Sequence, residues 1–290
     1  MNLFKKRWAR LAARLVLYPL LGVLMLRWFE HHCVFQPSAA LDAEAAQLGR
    51  PAEDVYIPVD KTGRIEAWFF PADPGGAQRS RQVFLVCHGN AGNISHRLDL
   101  CRLLLQTGPS VLVFDYRGYG RSSGRPSEEN TCRDAQAAWQ WLRQKGFAPA
   151  NILGYGESLG GAVLAELALR QELGGIILQS TFTSVPDLGA ELFPWLPVRL
   201  LGAIKFDTLR KLPRLKIPVL ILHGRQDTII PFAHAEKNFA AANPPKYFRE
   251  IHGDHNDAIF TAREEILSAV KEFLLPHPPP DRPAGLGTIR

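Results

Sequence analysis

The chain has 290 residues, of which 46% are hydrophobic and 21% charged, a composition typical of a globular protein rather than a disordered one. Its formal net charge is +6, but five cations lie within the first 14 residues (Lys5, Lys6, Arg7, Arg10 and Arg14), so removing five from +6 leaves +1 for the rest. This near-neutral remainder argues against a nucleic-acid partner.

Residues 1–36 are predicted to form a basic N-terminal tail and a hydrophobic membrane anchor. The uncharged run LVLYPLLGVLML at 15–26 lies within a 19-residue stretch that only Arg14 and Arg27 interrupt. A helix of that length reaches about 28 Å, close to the thickness of a hydrocarbon core. The sequence that follows, RWFEHHCVFQP, lacks the small residues of a signal-peptide cleavage site. We therefore favour a single-pass anchor over a cleaved signal peptide or an interfacial helix, with the folded domain on the non-cytoplasmic side.

From residue 54 onward, short apolar runs alternate with helical patterns. A hairpin of DVYIPV and RIEAWFF is predicted first, then strands at 83–87, 111–115, 151–155, 175–180, 218–224 and 247–253, with helices near 94–106, 128–145, 158–173, 234–242 and 263–275. Continuous apolar runs are typical of strands that helices cover on both faces. The sequence predicts one α/β domain over 37–275, with an eight-stranded, mostly parallel sheet.

Two segments interrupt this alternation. Residues 181–216 are longer than a crossover helix requires and are rich in Leu, Phe and Trp, including Phe182, Leu192, Phe193, Trp195 and Leu196. They predict either a short lid over an apolar pocket or a cover packed on the sheet. Residues 276–290 are rich in proline and are predicted to be disordered.

Neither a metal nor a cofactor is expected. The sequence has no Walker lysine, no complete dinucleotide fingerprint and no spaced set of metal ligands. Its four cysteines (Cys33, Cys87, Cys101 and Cys132) form no Cys-x-x-Cys pair. They are predicted to be free thiols, with a Cys101–Cys132 disulfide as the alternative.

The pattern Gly-x-Ser-x-Gly occurs twice, in GRSSG at 120–124 and in GYGESLGG at 154–161. It is typical of a nucleophilic serine on a sharp strand-to-helix turn. Ser158 directly follows a predicted strand and begins a predicted helix, and its flanking glycines permit a tight turn. Ser122 is followed by a proline-containing loop instead. The context favours Ser158 as the nucleophile, with a helix N-cap as the structural alternative.

A serine hydroxyl is a weak nucleophile and needs a general base that a carboxylate orients. When the serine lies on such a turn, the acid and then the histidine follow it in the chain. Asp227 comes just after the strand PVLILHG, and the last strand runs into HGDHNDA, which offers His252 and His255. We choose His255, because it lies farther into the loop, where its side chain can reach over the nucleophile. Asp254 or Asp257 is the alternative to Asp227.

The oxyanion that forms when a serine attacks a carbonyl needs two N–H donors. One is expected from the backbone of Leu159, which follows the nucleophile. The other is expected from the loop HGNAGN at 88–93, where Asn90 or Ala91 can present its N–H. The alternative for this loop is an ordinary strand-to-helix turn.

Five motifs in one order carry a family resemblance: HGNAGN, FDYRGYGRSSGRPSE, GESLGGAVLAELA, ILHGRQDTIIP and GDHND. Together they resemble the α/β-hydrolase superfamily, over roughly residues 33–275. More narrowly, they are similar to its membrane-anchored branch of single-domain serine hydrolases, which includes protein-depalmitoylating relatives, and CVFQPS resembles the FxPS sequence of that branch. The resemblance implies Ser158 as nucleophile, Asp227 as acid, His255 as base and Asn90 in the oxyanion hole.

The motifs and the resemblance together imply a serine hydrolase of carboxylic esters or acyl thioesters. Its expected substrate is a small-molecule or lipid-like acyl compound, and the expected mechanism proceeds through an acyl-enzyme. Two alternatives stay open. One is an acyltransferase with the same triad, and the other is a non-catalytic, membrane-tethered binding protein on the same fold.

Overall fold

A computed structural model of the chain describes residues 2–61, 63–73 and 81–275. Its strands are β1 (Gln36–Pro37), β2 (Glu53–Pro58), β3 (Arg64–Phe70), β4 (Val83–Cys87), β5 (Ala91–Gly92), β6 (Ser110–Phe114), β7 (Ile152–Glu157), β8 (Gly175–Gln179), β9 (Val219–Gly224) and β10 (Lys246–Ile251). Its helices are α1 (Asn2–Val34), α2 (Leu98–Leu105), α3 (Glu128–Gln144), α4 (Leu159–Arg170), α5 (Val185–Leu192), α6 (Val198–Leu201), α7 (Ala233–Ala241), α8 (Ala258–Thr261) and α9 (Arg263–Phe273). The tail predicted to be disordered, 276–290, lies outside the described residues.

Eight of these strands form one sheet in the order β10-β9-β8-β7-β4-β6-β3-β2. Strand β3 runs antiparallel to both of its neighbours, and the other neighbouring pairs are parallel. The predicted fold class, an eight-stranded and mostly parallel α/β sheet, is confirmed. Because the inner strands are parallel, their carboxyl ends meet at one edge, where such sheets collect ligand-binding and catalytic groups.

The sheet separates two apolar clusters. Along β4, Val83 and Leu85 point into one cluster, whereas Phe84 and Val86 point into the other, as the two-residue period of a strand requires. Helices α3, α4 and α7 contribute to the first cluster, and α2 and α9 contribute to the second. The strands are continuous apolar runs because helices cover both faces of the sheet.

A separate two-stranded ladder joins the segment after α1 to the loop after β4. Strand β1 pairs with β5 in parallel, with Gln36 opposite Ala91 and Pro37 opposite Gly92. The Gln36 N–H also donates to the carbonyl of Asn90 at 3.0 Å. The chain that leaves α1 is thereby fixed to the loop in which an oxyanion donor is predicted.

The predicted membrane anchor is wrong. In the part of the chain that the structure describes, no helix combines the length and the apolar character needed to cross a bilayer. Helix α1 has 33 residues, but its uncharged run is confined to 15–26. Those residues span about 18 Å, against about 30 Å of hydrocarbon core. The prediction relied on a longer stretch that Arg14 and Arg27 interrupt, and the predicted non-cytoplasmic placement of the folded domain falls with it.

The last turns of α1 are instead bonded to the segment around α6. The Arg27 guanidinium donates to the carbonyl of Leu201 at 2.8 Å. The Glu30 carboxylate accepts hydrogen bonds from the backbone N–H of Ala203, at 2.7 Å and 3.0 Å to its two oxygens, and from that of Ile204 at 2.9 Å. Helix α1 therefore ends as an integral part of the folded domain.

Candidate active site

Ser158 occupies the turn between β7 and α4. Its backbone has φ +52° and ψ −115°, and its N–H donates to the carbonyl of Gln179 at 2.9 Å. Helix α4 approaches the end of the neighbouring strand β4 so closely that a Cβ on Gly160 would lie 1.9 Å from the carbonyl oxygen of Cys87. Only glycine fits there, which explains why the sequence places one two residues after the serine.

His255 and Asp227 complete a hydrogen-bonded series with Ser158. The Oγ of Ser158 lies 3.1 Å from Nε2 of His255, and Nδ1 of His255 lies 2.8 Å from Oδ2 of Asp227. Because a carboxylate only accepts, Nδ1 carries the proton, and Nε2 is left to accept the serine hydroxyl. All three residues are at most 8% exposed. The structure thus brings together the three residues that the sequence predicts as a triad, whose catalytic role remains a prediction.

The Asp227 carboxylate is held in its ionised form. Its Oδ1 accepts the backbone N–H groups of Ile229 at 3.0 Å and Ile230 at 2.7 Å. Burial alone would raise the pKa of Asp227, but the hydrogen bond and charge of His255 and the N–H of Ile230 outweigh burial and hold that pKa below 3.8. Asp227 can therefore orient the imidazole as an anion at neutral pH.

The alternative acid and base residues lie elsewhere. The Nδ1 of His252 bonds to Glu265 at 2.6 Å, and the His252 side chain is 78% exposed. The Asp254 carboxylate accepts the N–H of Thr228 at 2.7 Å and the Thr228 hydroxyl at 2.9 Å. The Asp257 carboxylate accepts the N–H of Asp254 at 2.6 Å. Asp254 therefore fastens the loop of the predicted acid to the loop of the predicted base, rather than orienting the imidazole.

Ser122, in the other Gly-x-Ser-x-Gly sequence, is part of a buried turn. Its hydroxyl donates to the carbonyl of Asp115 at 2.9 Å and accepts the N–H of Glu66 at 2.8 Å. Both functions of the hydroxyl are thus used by the backbone, and Ser122 has a structural role.

The loop after β4 lies beside Ser158. A Cβ on Gly89 would be 3.7 Å from the Cβ of Ser158. The Nδ1 of His88 donates to the Gly89 carbonyl at 2.7 Å, which fixes the peptide that also carries the Asn90 N–H. In a trans peptide this N–H points away from the carbonyl. The N–H of Leu159 begins α4, where backbone donors have no partner within the helix. Oxyanion binding by Asn90 and Leu159 remains a prediction.

Two buried residues that sequence reasoning missed support this loop. The Nε2 of His88 lies 3.3 Å from Oδ1 of Asp115, and both side chains are fully buried. The same Oδ1 accepts the N–H of Ile94 at 2.9 Å, which ties Asp115 to the end of the loop. His88 directly follows β4, and Asp115 directly follows β6. Their position at the carboxyl edge of the sheet is a signal that could have identified them.

Arg97 is a third residue that sequence reasoning missed. Its guanidinium donates to the carbonyl of Ala91 at 2.9 Å and lies 3.5 Å from the carboxylate of Glu157, the residue before the nucleophile. The hydroxyl of Tyr119 donates to the carbonyl of Asn90 at 2.8 Å. These contacts fix the loop from several sides, so its N–H groups are preorganised before any substrate binds.

A cavity of about 420 Å³ has Ser158 and His255 in its wall. Most of its other lining residues come from the last turns of α1, from residues 182–202, and from Asn90 and Ala91. The remaining ones are Gln36, Leu159, Ile229, Ile230 and Asn256. Of the apolar residues singled out in the segment predicted as a lid, Phe182, Leu192, Phe193 and Leu196 line the cavity, whereas Trp195 is 77% exposed. The cavity is mostly apolar and is polar where it meets Ser158, as ligand pockets commonly are.

No metal site is found among the described residues, where no group of three or more His, Cys, Asp or Glu side chains could hold an ion. The four cysteines are free. Burial raises the pKa of the Cys101 thiol to about 12 and also raises that of Cys33. These thiols are therefore protonated at neutral pH. Cys33 differs from the others in that it lines the cavity.

Comparison with known proteins identifies several to which this chain is similar. Residues 78–205 match a family model described as serine aminopeptidase, S33. The chain is 38% identical over 256 residues to an uncharacterised protein of Mycobacterium tuberculosis, covering 87% of this chain and 90% of that protein. It is 31% identical over 292 residues to the alpha/beta hydrolase domain-containing protein WAV2 of Arabidopsis thaliana, and the alignment covers 92% of this chain and 94% of WAV2. The fold is similar to that of the Pyrococcus furiosus esterase Pf2001, with a TM-score of 0.68 and 21% identity over 83% of this chain and 96% of the esterase.

Proposed function

We propose, since this chain belongs to the α/β-hydrolase superfamily, that it is a serine hydrolase that cleaves carboxylic esters or acyl thioesters through an acyl-enzyme on Ser158. The observation that carries the proposal is the hydrogen-bonded series of Ser158, His255 and Asp227 in the wall of an apolar cavity. A nucleophile, a base within reach of it and an acid that orients the base are what acyl transfer requires.

In the proposed reaction, Ser158 Oγ attacks the acyl carbonyl carbon while Nε2 of His255 takes the hydroxyl proton. Asp227 holds the imidazole through Nδ1 and stabilises the imidazolium. His255 then gives its proton to the departing alkoxide or thiolate, and the acyl-enzyme is left. In the second half, His255 takes a proton from water, the resulting hydroxide attacks the acyl carbon, and Ser158 recovers its proton.

The negative charge that develops on the carbonyl oxygen would be bound by the N–H groups of Leu159 and Asn90. The contacts of His88, Tyr119 and Arg97 support this assignment, because each holds a carbonyl of the 89–91 loop and so fixes the adjacent N–H. Removing one such donor costs about 10²–10³ in kcat in a serine protease.

A peptide substrate is the principal rival, since the matching family model bears the name of an aminopeptidase. An aminopeptidase needs a carboxylate to bind the α-ammonium group of its substrate. Glu30 is the acidic residue among the described lining residues, and its oxygens already accept the N–H groups of Ala203 and Ile204. This arrangement favours an uncharged acyl group. Acyl transfer to another acceptor would use the same residues and is distinguished by its product.

The test is hydrolysis of p-nitrophenyl acetate, butyrate and octanoate by the purified chain, beside the Ser158→Ala variant. Loss of the nucleophile should lower kcat by about 10⁶-fold. The matched control is Ser122→Ala, which alters the other Gly-x-Ser-x-Gly sequence. That variant loses two hydrogen bonds to the backbone, worth roughly 1 kcal/mol each, and should keep its activity.

Labelling with a fluorophosphonate probe locates the nucleophile directly. The proposal predicts that peptide mapping finds the adduct on Ser158 in the wild type and in Ser122→Ala, and finds none in Ser158→Ala. Ester turnover by Ser158→Ala at the wild-type rate, or an adduct on another serine, would contradict it. Turnover of an aminoacyl p-nitroanilide in preference to every ester would favour the peptidase instead.

A further inference from the structure

Helix α1 presents one continuous stripe to the cavity. Its lining residues are Leu26, Phe29, Glu30, Cys33 and Val34. They are spaced as i, i+3, i+4, i+7 and i+8, which is a single face of an α-helix. The cavity that contains Ser158 is thus walled on one side by the element that the sequence predicted to lie in a membrane.

Helix α5 supplies another wall with the same spacing. Val185, Leu188, Gly189 and Leu192 line the cavity at i, i+3, i+4 and i+7. A Cβ on Gly189 would lie 2.9 Å from a methyl group of Val198 at the start of α6, so the absence of a side chain lets these two elements approach. The two stripes, together with Val198 and Leu201 of α6, leave a cavity whose walls are mainly aliphatic and aromatic.

The α1 wall is fixed in position. The rings of Phe29 and Phe193 meet edge to face at 5.5 Å, and those of Phe35 and Phe206 at 6.1 Å. The Glu30 carboxylate accepts hydrogen bonds from the backbone N–H groups of Ala203 and Ile204, and its side chain is only 10% exposed. The one carboxylate among the described lining residues therefore serves as a fastening for α1.

We infer that the α1 stripe determines the acyl chain length that the site accepts. A linear acyl chain extends from Ser158 between α1 and α5, and the side chains of Cys33 and Phe29 limit its length. This inference rests on the proposed function, because it assigns the acyl part of that substrate. Of the polar lining residues, Asn90, Ser158, His255 and Asn256 belong to the loops at the carboxyl edge of the sheet, where the carbonyl must sit, whereas the Glu30 carboxylate on α1 is engaged by backbone N–H groups. The helical walls are where methylene groups would lose contact with water.

The inference predicts a specific acyl-length profile. Each methylene that the walls bury should raise kcat/KM about four-fold, the equivalent of about 0.8 kcal/mol, until the cavity is filled. Beyond that length kcat/KM should stop rising or fall. With a volume of about 420 Å³, the cavity lies near the lower end of the range of ligand pockets, so a maximum at medium chain length is expected.

The experiment compares the full-length wild type with Cys33→Trp, Cys33→Ala and the matched control His32→Trp. His32 is the neighbouring residue, is exposed and does not line the cavity. Each protein is assayed with p-nitrophenyl esters from acetate to decanoate. Cys33→Trp should lower the octanoate-to-acetate ratio of kcat/KM at least ten-fold, Cys33→Ala should move the maximum to equal or longer chains, and His32→Trp should retain the wild-type profile.

Chemical modification of Cys33 in the folded wild type tests the same inference without a substitution that could impair folding. Alkyl methanethiosulfonates convert a thiol into a mixed disulfide and release methanesulfinate. In the folded wild type, an octyl adduct should reduce octanoate turnover far more than a methyl adduct does. Dithiothreitol should restore that turnover, and Cys33→Ser should resist the treatment. Cys87 and Cys101 are fully buried, which directs the reagent to the more accessible thiols.

The outcomes separate the inference from the function on which it rests. Absence of Ser158-dependent hydrolysis of any ester, acetate included, overturns both. Hydrolysis that depends on Ser158, with the same length profile in Cys33→Trp and His32→Trp, overturns the inference alone. A second series varies the alcohol of acetyl esters. If the Cys33→Trp effect follows the alcohol length instead, the cavity holds the leaving group and the assignment of the acyl chain is wrong.

Discussion

Ser158 is held in a backbone conformation that residues with side chains rarely adopt, at a cost of about 1–3 kcal/mol. Hydrogen bonds on both sides maintain it: its N–H donates to Gln179, and its carbonyl accepts the N–H of Gly161 at 3.1 Å. The side chain makes no capping hydrogen bond to α4 and instead lies within reach of His255. The helix-cap alternative to a nucleophile is therefore not what the geometry shows.

The close contact between Gly160 and the end of β4 can be tested by adding a single methyl group at residue 160. In Gly160→Ala the new Cβ would overlap the carbonyls of Cys87 and His88, at 1.9 Å and 2.7 Å, so the end of β4 must move away from Ser158. A shift of about 1 Å in a catalytic arrangement can cost about 10²-fold in rate, and we expect at least that loss of kcat/KM on p-nitrophenyl acetate. The control is Gly22→Ala on α1, where a Cβ would meet nothing within 4 Å. Equal activity of the two variants would contradict the steric argument.

At the scale of elements, α1 shows which features a sequence pattern can and cannot predict. The inner strands were predictable because continuous apolar runs of five or six residues, bounded by turns, fit a doubly covered sheet. An apolar stripe on a helix indicates only that the stripe is covered by another apolar surface. That surface can be either lipid or protein, and the pattern does not distinguish them. The decisive contacts of Glu30 with Ala203 and Ile204 join residues more than 170 positions apart, which hydropathy does not encode.

The attachment of α1 can be tested through Glu30. In Glu30→Gln, an amide NH₂ group replaces one carboxylate oxygen, so a donor faces the backbone N–H donors of Ala203 and Ile204. The negative charge that strengthens the hydrogen bonds from these N–H groups is also lost. We expect amide hydrogen exchange at Ala203 and Ile204 to become about 10–100 times faster, as the loss of a charged hydrogen bond worth about 1.5–3 kcal/mol implies. Glu44→Gln is the control, because the Glu44 side chain is 55% exposed and pairs with Arg121 at the surface. Unchanged protection in Glu30→Gln would show that the apolar contacts of α1 and the hydrogen bond from Arg27 to Leu201 hold it without Glu30.

At the scale of the whole molecule, the candidate site follows from strand order. Ser158, Asp227 and His255 come shortly after the carboxyl ends of β7, β9 and β10, and the loop of Asn90 follows β4, the neighbour of β7 in the sheet. These residues were predictable because parallel strands end at one edge and the motifs mark those ends. An apolar pocket under residues 181–216 was one of two predictions, but the shape of the cavity and its α1 wall were not predictable. They depend on how this segment packs against α1, and no local pattern in the sequence sets that packing.

Two of the buried histidines, one on β9 and one on α7, make the stability of the whole molecule depend on pH. His223 and His234 are fully buried. Burial lowers the pKa of each below 6.5, and their hydrogen bonds and the charges of Asp227 and Glu191 only partly offset it. Between the lowered pKa of the folded state and the ordinary value of 6.5, the unfolded chain binds more protons on these rings than the folded chain does, so the free energy of unfolding falls as pH falls through that interval. Asp227, whose pKa is held below 3.8, contributes a loss only in stronger acid.

Urea unfolding of the wild type at pH 7.5 and pH 5.5 measures this dependence. Each ring contributes at most about 1.4 kcal/mol per pH unit, over the interval between its folded and unfolded pKa values. The double variant His223→Gln/His234→Gln should start from a lower stability at pH 7.5 but lose less of it on acidification. His252→Gln is the control, because the side chain of His252 is 78% exposed. The free energy of unfolding of this variant should fall between pH 7.5 and pH 5.5 by as much as that of the wild type. If the double variant loses as much stability as the wild type does, the acid sensitivity arises elsewhere in the molecule, and these two rings are not protonated on unfolding in that interval.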